Sequence, residues 1–150
     1  MSDRIALNEP TYGLVIAGLA GTDYHPTISV NFARVVDEEF LGGVIFSNYT
    51  GESINIHSGS VTPLWINRDM LFVTFDYPFR QLEVKRIFGH VPEDNLRAIS
   101  FNENLGFRKI ARIEGVFPNN IACLVMRMDI EECRFLNIKP RFLHPGITLH

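Results

Sequence analysis

The run Asn95-Leu96-Arg97-Ala98-Ile99-Ser100-Phe101-Asn102-Glu103-Asn104-Leu105-Gly106-Phe107 reads as one helix with both ends marked. A short polar side chain accepts a backbone N–H that the first helical turn leaves unpaired, so Asp94 or Asn95 is the expected N-cap. Gly106 is the expected residue after the last turn, because glycine takes the left-handed backbone that closes a helix. Upstream, Val84 to Val91 is strand-like and Pro92-Glu93-Asp94 is a turn, so a strand leads directly into this helix. Downstream, Phe107 to Phe117 and Ile121 to Met128 flank Pro118-Asn119-Asn120 as a strand pair, before a shorter segment from Ile130 to Leu136.

Further upstream the period changes. Val30 to Val36 and Phe40 to Tyr49 are rich in β-branched and aromatic residues and flank Asp37-Glu38-Glu39, which predicts a hairpin. Phe40 to Phe46 is apolar at nearly every position, so this strand should be central and covered on both faces. Ser53-Ile54-Asn55-Ile56-His57 alternates, with Ile54 and Ile56 on one face and Asn55 and His57 on the other. Leu64, Leu71, Phe75, Phe79 and Leu82 then fall at helical spacings, predicting one apolar helix face capped by Ser60 or Thr62 with Pro63 in its first turn. Pro78 interrupts that pattern, and its missing N–H predicts a kink or an early end. Three meander strands, a helix, a strand, a helix and a strand pair make an α/β or α+β domain.

At 150 residues the chain is expected to form a single domain, 1–150, with 1–26 a variable N-terminal segment and 137–150 a tail that is mobile or drapes over the surface. A formal charge of -3 offers no basic footprint, so nucleic acid is not an expected partner. Cys123 and Cys133 have no Cys or His partner at metal-ligand spacing, so neither a metal site nor a disulfide framework is expected. The apolar stretch Gly13 to Ala20 is too short for a membrane span, and the expected location is the cytoplasm.

The Asn95 to Phe107 run, directly after a strand, resembles the N-x-x-A/S … L-G-F segment of the GNAT acyltransferase superfamily. Phe75 to Leu82 followed by Val84-Lys85-Arg86-Ile87 is similar to that superfamily's cofactor helix and the strand after it. The resemblance covers roughly Val30 to Met128. Within it, the Trp65 region and the ending Glu132-Cys133-Arg134-Phe135-Leu136 resemble short acetyltransferase-like proteins of bacteriophages, which would place the protein in a host cytoplasm. The resemblance implies a mixed, mostly antiparallel central sheet with a long cofactor helix and a second helix on its faces. It implies acetyl-CoA as co-substrate, bound in a V-shaped opening between the fourth and fifth strands, transfer to a primary amine, and no metal.

By the same resemblance the pantetheine arm lies against Ser53 to Ser58, with Ser58 and Asn95 beside it. The pyrophosphate lies over Thr62 to Arg68, which brings in Trp65, Asn67 and Arg68. That segment departs from the family's Q/R-x-x-G-x-G/A loop: Trp65 and Asn67 stand where its glycines allow close approach of a phosphate, and Arg68 offers compensating charge. Asn102 stands where many members place a tyrosine proton donor.

Each candidate carries two readings. His57 is a general base or proton relay, or a strand histidine bonded to a neighbouring serine. Asp69 and Glu52 are alternative carboxylates, although Asp69 also suits a helix dipole. Trp65 is a cleft wall or a plug between helix and sheet. Asn95 binds the pantetheine arm or caps its helix. Cys123 and Cys133 are assigned packing, and Arg134, Lys139 and Arg141 a solvated basic tail. Two functions follow: an N-acetyltransferase, or a scaffold of that fold that has lost turnover and binds a host protein. A monomer and a homodimer paired through the last strands both remain open.

Overall fold

The computed structural model describes residues 2–141. Seven strands form one sheet in the order β1-β2-β3-β4-β5-β7-β6: β1 (Asp3–Leu7), β2 (Val30–Val36), β3 (Glu39–Ser47), β4 (Ser53–Ser60), β5 (Arg86–Pro92), β6 (Arg108–Phe117) and β7 (Ile121–Asp129). All neighbours are antiparallel except β4 and β5, which are parallel. Helix α1 (Pro10–Ala20) covers one face, and α2 (Arg68–Asp76) and α3 (Leu96–Leu105) cover the other. The expected mixed, mostly antiparallel sheet is present.

The β2–β3 hairpin turns through Asp37 and Glu38, both with positive φ, the two-residue geometry that matches strand twist. As predicted, β3 is covered on both faces: Val44 and Phe46 pack under α2, and Ile45 packs under α1. Helix α3 has the expected ends, with Asn95 as N-cap and Gly106 at φ 114 after its last turn. Ile130–Glu132 forms a 3-10 turn closed by a capping box with Asp129.

Two regions differ from the sequence reading. The first 26 residues, read without regular elements, contain β1 and α1. Helix α1 is apolar on nearly every side and so shows no clear 3.6-residue period. What seats it is a glycine groove: Gly43 and Gly59 face each other across β3 and β4, and a Cβ there would lie 2.6 Å from Ile16 Cδ1 or 2.7 Å from Leu19 Cβ.

The cofactor helix expected from Ser60 or Thr62 instead begins at Arg68, and its α-helical part is nine residues long. Thr62 caps a separate 3-10 turn, Pro63–Trp65, by accepting Leu64 N–H at 3.3 Å, and Ile66 is extended. Arg34 Nη1 holds this turn onto the sheet through Leu64 O at 2.6 Å. Leu64, expected on the buried helix face, is therefore 74% exposed. At the other end, the α-helix stops before Pro78 and the chain widens into a π turn, Tyr77–Gln81, which keeps Phe75 and Phe79 buried.

Candidate functional site

Only three rungs join the parallel strands: Ser53 to Arg86, Ile54 to Ile87 and Asn55 to Phe88. Beyond them β4 stays on β3 as far as Ser60, and β5 stays on β7 as far as Pro92. The strands therefore part while each keeps its outer neighbour, and from Ile56 and Gly89 onward their inner edges present backbone N–H and C=O groups to an opening. A cavity of about 120 Å³ occupies this opening. A second compartment of about 560 Å³ continues between Ser60 to Pro63 and α3. Both are lined by Leu19, Ser58, Trp65, Asn95, Ala98 and Phe101, so they form one passage.

His57 and His90 each lie two residues past the last rung, Asn55 to Phe88, so both imidazoles leave the same sheet face where the strands separate. His57 is half-buried, and its pKa is lowered first by desolvation and then by the charge of His90. Its imidazole is neutral at pH 7 and free to accept a proton. On the opposite face Trp65 is 4% exposed; it presses on Gly42, where a Cβ would sit 2.5 Å from its Cγ, and its ring lies 5.9 Å from that of Phe101. Trp65 thus plugs the gap between sheet and α3 and also walls the passage. Asn95 caps α3, its Oδ1 accepting Ala98 N–H at 3.2 Å, while the residue lines both compartments.

The passage thus gathers His57, Ser58, Trp65 and Asn95, but Asn67 and Arg68 lie elsewhere. They line a hollow of about 300 Å³ with Asp3, Arg34, Asp69 and Arg141. Trp65, drawn under Phe101, sends the two halves of the Thr62 to Arg68 segment to different surfaces. Asn67 caps α2 by accepting Met70 N–H at 2.9 Å. Arg68 Nε donates to Lys139 O, and the buried Asp69 carboxylate accepts Arg141 N–H. Of the tail expected at 137–150, residues 137–141 drape over α2, and 142–150 lie outside the described residues.

Arg134, read as part of a solvated cluster, donates to Leu105 O at 3.2 Å and to Asn104 O, placing a cation at the C-terminus of α3. Burial raises the pKa of both Cys123 and Cys133, which disfavours their thiolate forms. Asn102 lines the inner cavity, and its Nδ2 donates to Met126 Sδ at 3.8 Å. Glu52 pairs with Lys85 at 3.2 Å, on the surface.

Sequence reasoning overlooked His90, Arg97 and Thr74, all of which line the passage. The rung register puts His90 opposite His57, a relation visible only once β4 is paired with β5. Thr74 lies one turn from Met70 on the buried side of α2, so the helical period alone could have found it.

A mixed sheet whose one parallel pair splays beside a strand-to-helix crossover is the architecture of the GNAT-type acyltransferases, and solved structures bear out that likeness. A chimera of spermidine N-acetyltransferase SpeG from Vibrio cholerae and hSSAT superposes with a TM-score of 0.70 at 18% identity, over 91% of this chain and 100% of that one. Arabidopsis thaliana NAA60 in complex with acetyl-CoA gives 0.69 at 14% identity, over 87% and 99%. An acetyltransferase of the GNAT family from Bacillus anthracis gives 0.56 at 19% identity, over 68% and 67%. No family model matches the sequence, and no curated protein does. The likeness is therefore one of fold. Among the described residues no group of three or more His, Cys, Asp or Glu is placed to hold a metal, and no helix is long and apolar enough to cross a membrane.

Proposed function

We propose that the protein is an acetyl-CoA-dependent N-acetyltransferase that passes the acyl group directly to a primary amine. The observation that carries this reading is the parting of β4 from β5. It leaves two strand edges whose free N–H and C=O groups suit an extended, amide-bearing arm such as pantetheine, bound as an added strand would be. On this reading Ser58, Trp65 and Asn95 line the arm. The diphosphate stays at the solvent mouth beside Thr62 and the exposed Arg97, the residues of the outer compartment best suited to an anion.

His57 is the group that accepts the proton of the attacking amine. The nitrogen bonds to the acyl carbon, a backbone N–H on the open β4 edge steadies the oxyanion, the C–S bond breaks, and the imidazolium returns the proton to the departing sulfur. Asn102 takes no part in that proton transfer, because an amide is not an acid of the needed strength. The resemblance around Trp65 and Glu132 to Leu136 supports a phage-encoded enzyme acting in a bacterial cytoplasm.

Thermal-shift and calorimetric titration with CoA and acetyl-CoA tests the proposal. A saturable response is expected, and ligand at a hundred times Kd should add about 2.7 kcal/mol of stability. A flat response would overturn it and favour a scaffold that binds a protein partner.

A further inference from the structure

We propose that the inner end of the passage holds the donor's acyl group and, besides acetyl, takes a larger one that carries a neutral oxygen, a hydroxyl or keto group. This rests on the acyltransferase reading above. A CoA thioester has one charged end and one uncharged end. Burying the diphosphate is costly, so it stays at the mouth and the acyl end enters the interior.

That interior is walled by Val44, Ile56, Val91 and Phe107; on its helical side Thr74 of α2 and Asn102 of α3 are polar, as is the α3 cap Asn95, whose Oδ1 already accepts Ala98 N–H. Thr74 is 2% exposed, and its Oγ1 is buried with no hydrogen-bond partner among the described residues. A native structure rarely leaves a buried hydroxyl unpaired, so this one is an unmet demand. Asn102 Nδ2 is scarcely better served, since the thioether it meets at 3.8 Å is a weak acceptor. Both groups have N–H or O–H to donate, and what satisfies a donor is an oxygen.

Size and charge narrow the class further. The cavity of about 120 Å³ also takes the thiol end of the arm, since Ser58, Trp65 and Asn95 line it, and the adjoining compartment of about 560 Å³ lets the arm sit further out, which leaves room for an acyl group longer than acetyl. No Lys or Arg lines this cavity among the described residues; its titratable groups are His57, neutral at pH 7, and the exposed His90, both on the far side of the sheet. A carboxylate-bearing acyl group would therefore be buried without a counter-charge, whereas a hydroxyl or keto oxygen would not.

The test is competitive binding and steady-state turnover of the full chain with CoA, acetyl-CoA, butyryl-CoA, 3-hydroxybutyryl-CoA and succinyl-CoA. The hydroxybutyryl thioester should be preferred to butyryl by about tenfold, the worth of one buried neutral hydrogen bond. Thr74→Val, which keeps the volume, should collapse that ratio to near one, and Thr74→Ser should retain it. Thr74→Ala should collapse the ratio as well, which keeps the test decisive if the valine variant does not fold. Equal affinity for butyryl and hydroxybutyryl donors, as when only a water fills the space, overturns the inference. So does a ratio that Thr74→Val leaves intact, or a preference for succinyl. If CoA itself fails to bind, it is the acyltransferase reading that falls.

Discussion

The N-termini of α2 and α3 are built alike and end up in opposite circumstances. Asn67 accepts Met70 N–H at 2.9 Å and Asn95 accepts Ala98 N–H at 3.2 Å, so each helix begins on the same cap. At α2 the chain supplies its own partners: Asp69 places a carboxylate in the first turn, Arg141 N–H bonds that carboxylate, and Arg68 is spent on Lys139 O. At α3 the first turn has no acidic residue, and Arg97 is exposed along the passage. A helix N-terminus attracts anions best where its charge is not already met, so the proposed function puts the phosphate in the passage beside α3 and not in the hollow at α2.

If the chemistry belongs to the passage, substitutions there should change rate and ligand affinity, while equivalent ones in the hollow change stability alone. The largest effect is expected for His57→Gln, a rate loss of roughly a hundredfold. In the unaltered protein the rate should fall as pH drops through a pKa below 6.5, because burial depresses His57, and the substitution should erase that acid limb. A pH–rate profile that survives His57→Gln would remove this residue from the reaction.

Next in size, Arg97→Ala should weaken CoA binding about tenfold and Arg68→Ala hardly at all, with the Arg97 effect shrinking as salt is raised. The reverse order in calorimetry would return the diphosphate to α2. Asn67→Ala and Asn95→Ala should each cost about 1 kcal/mol of stability in denaturant unfolding, as lost caps do. Only Asn95→Ala should also lower CoA affinity.

The smallest effect is on the stability curve itself. Between the depressed pKa of folded His57 and its ordinary value of 6.5, the unfolded chain binds more protons. Stability should thus decline as pH falls through that window and be insensitive to this group above it. Unfolding curves of His57→Gln should lack this component of the slope.

Much of the fold was readable in advance where the signal is short-ranged. The Asn95 cap, Gly106, the hairpin around Asp37 and Glu38, and the alternation that puts His57 opposite Ile54 all depend on neighbours a few residues away. Helix α1 was missed because its faces are uniformly apolar, and its seat is made by Gly43 and Gly59, far along the chain. The start of α2 was misplaced because Trp65 packs on Gly42 and Phe101, contacts from distant segments that draw Pro63 to Ile66 out of the helical path. The candidate site divides the same way: His57, Ser58, Trp65 and Asn95 were named from the chain, whereas His90, Thr74 and Arg97 became visible with the passage.

Caps, turns and alternation are interactions within one or two turns of backbone, so the chain's local chemistry suffices to define the strands, α3 and the order of elements. The opening between β4 and β5, the pairing of His57 with His90 and the closure of α2 by residues 139–141 arise between segments distant in sequence. Those contacts form only when competing side chains are packed against one another, and it is that packing, not local preference, that decides which helix end meets solvent and which is sealed.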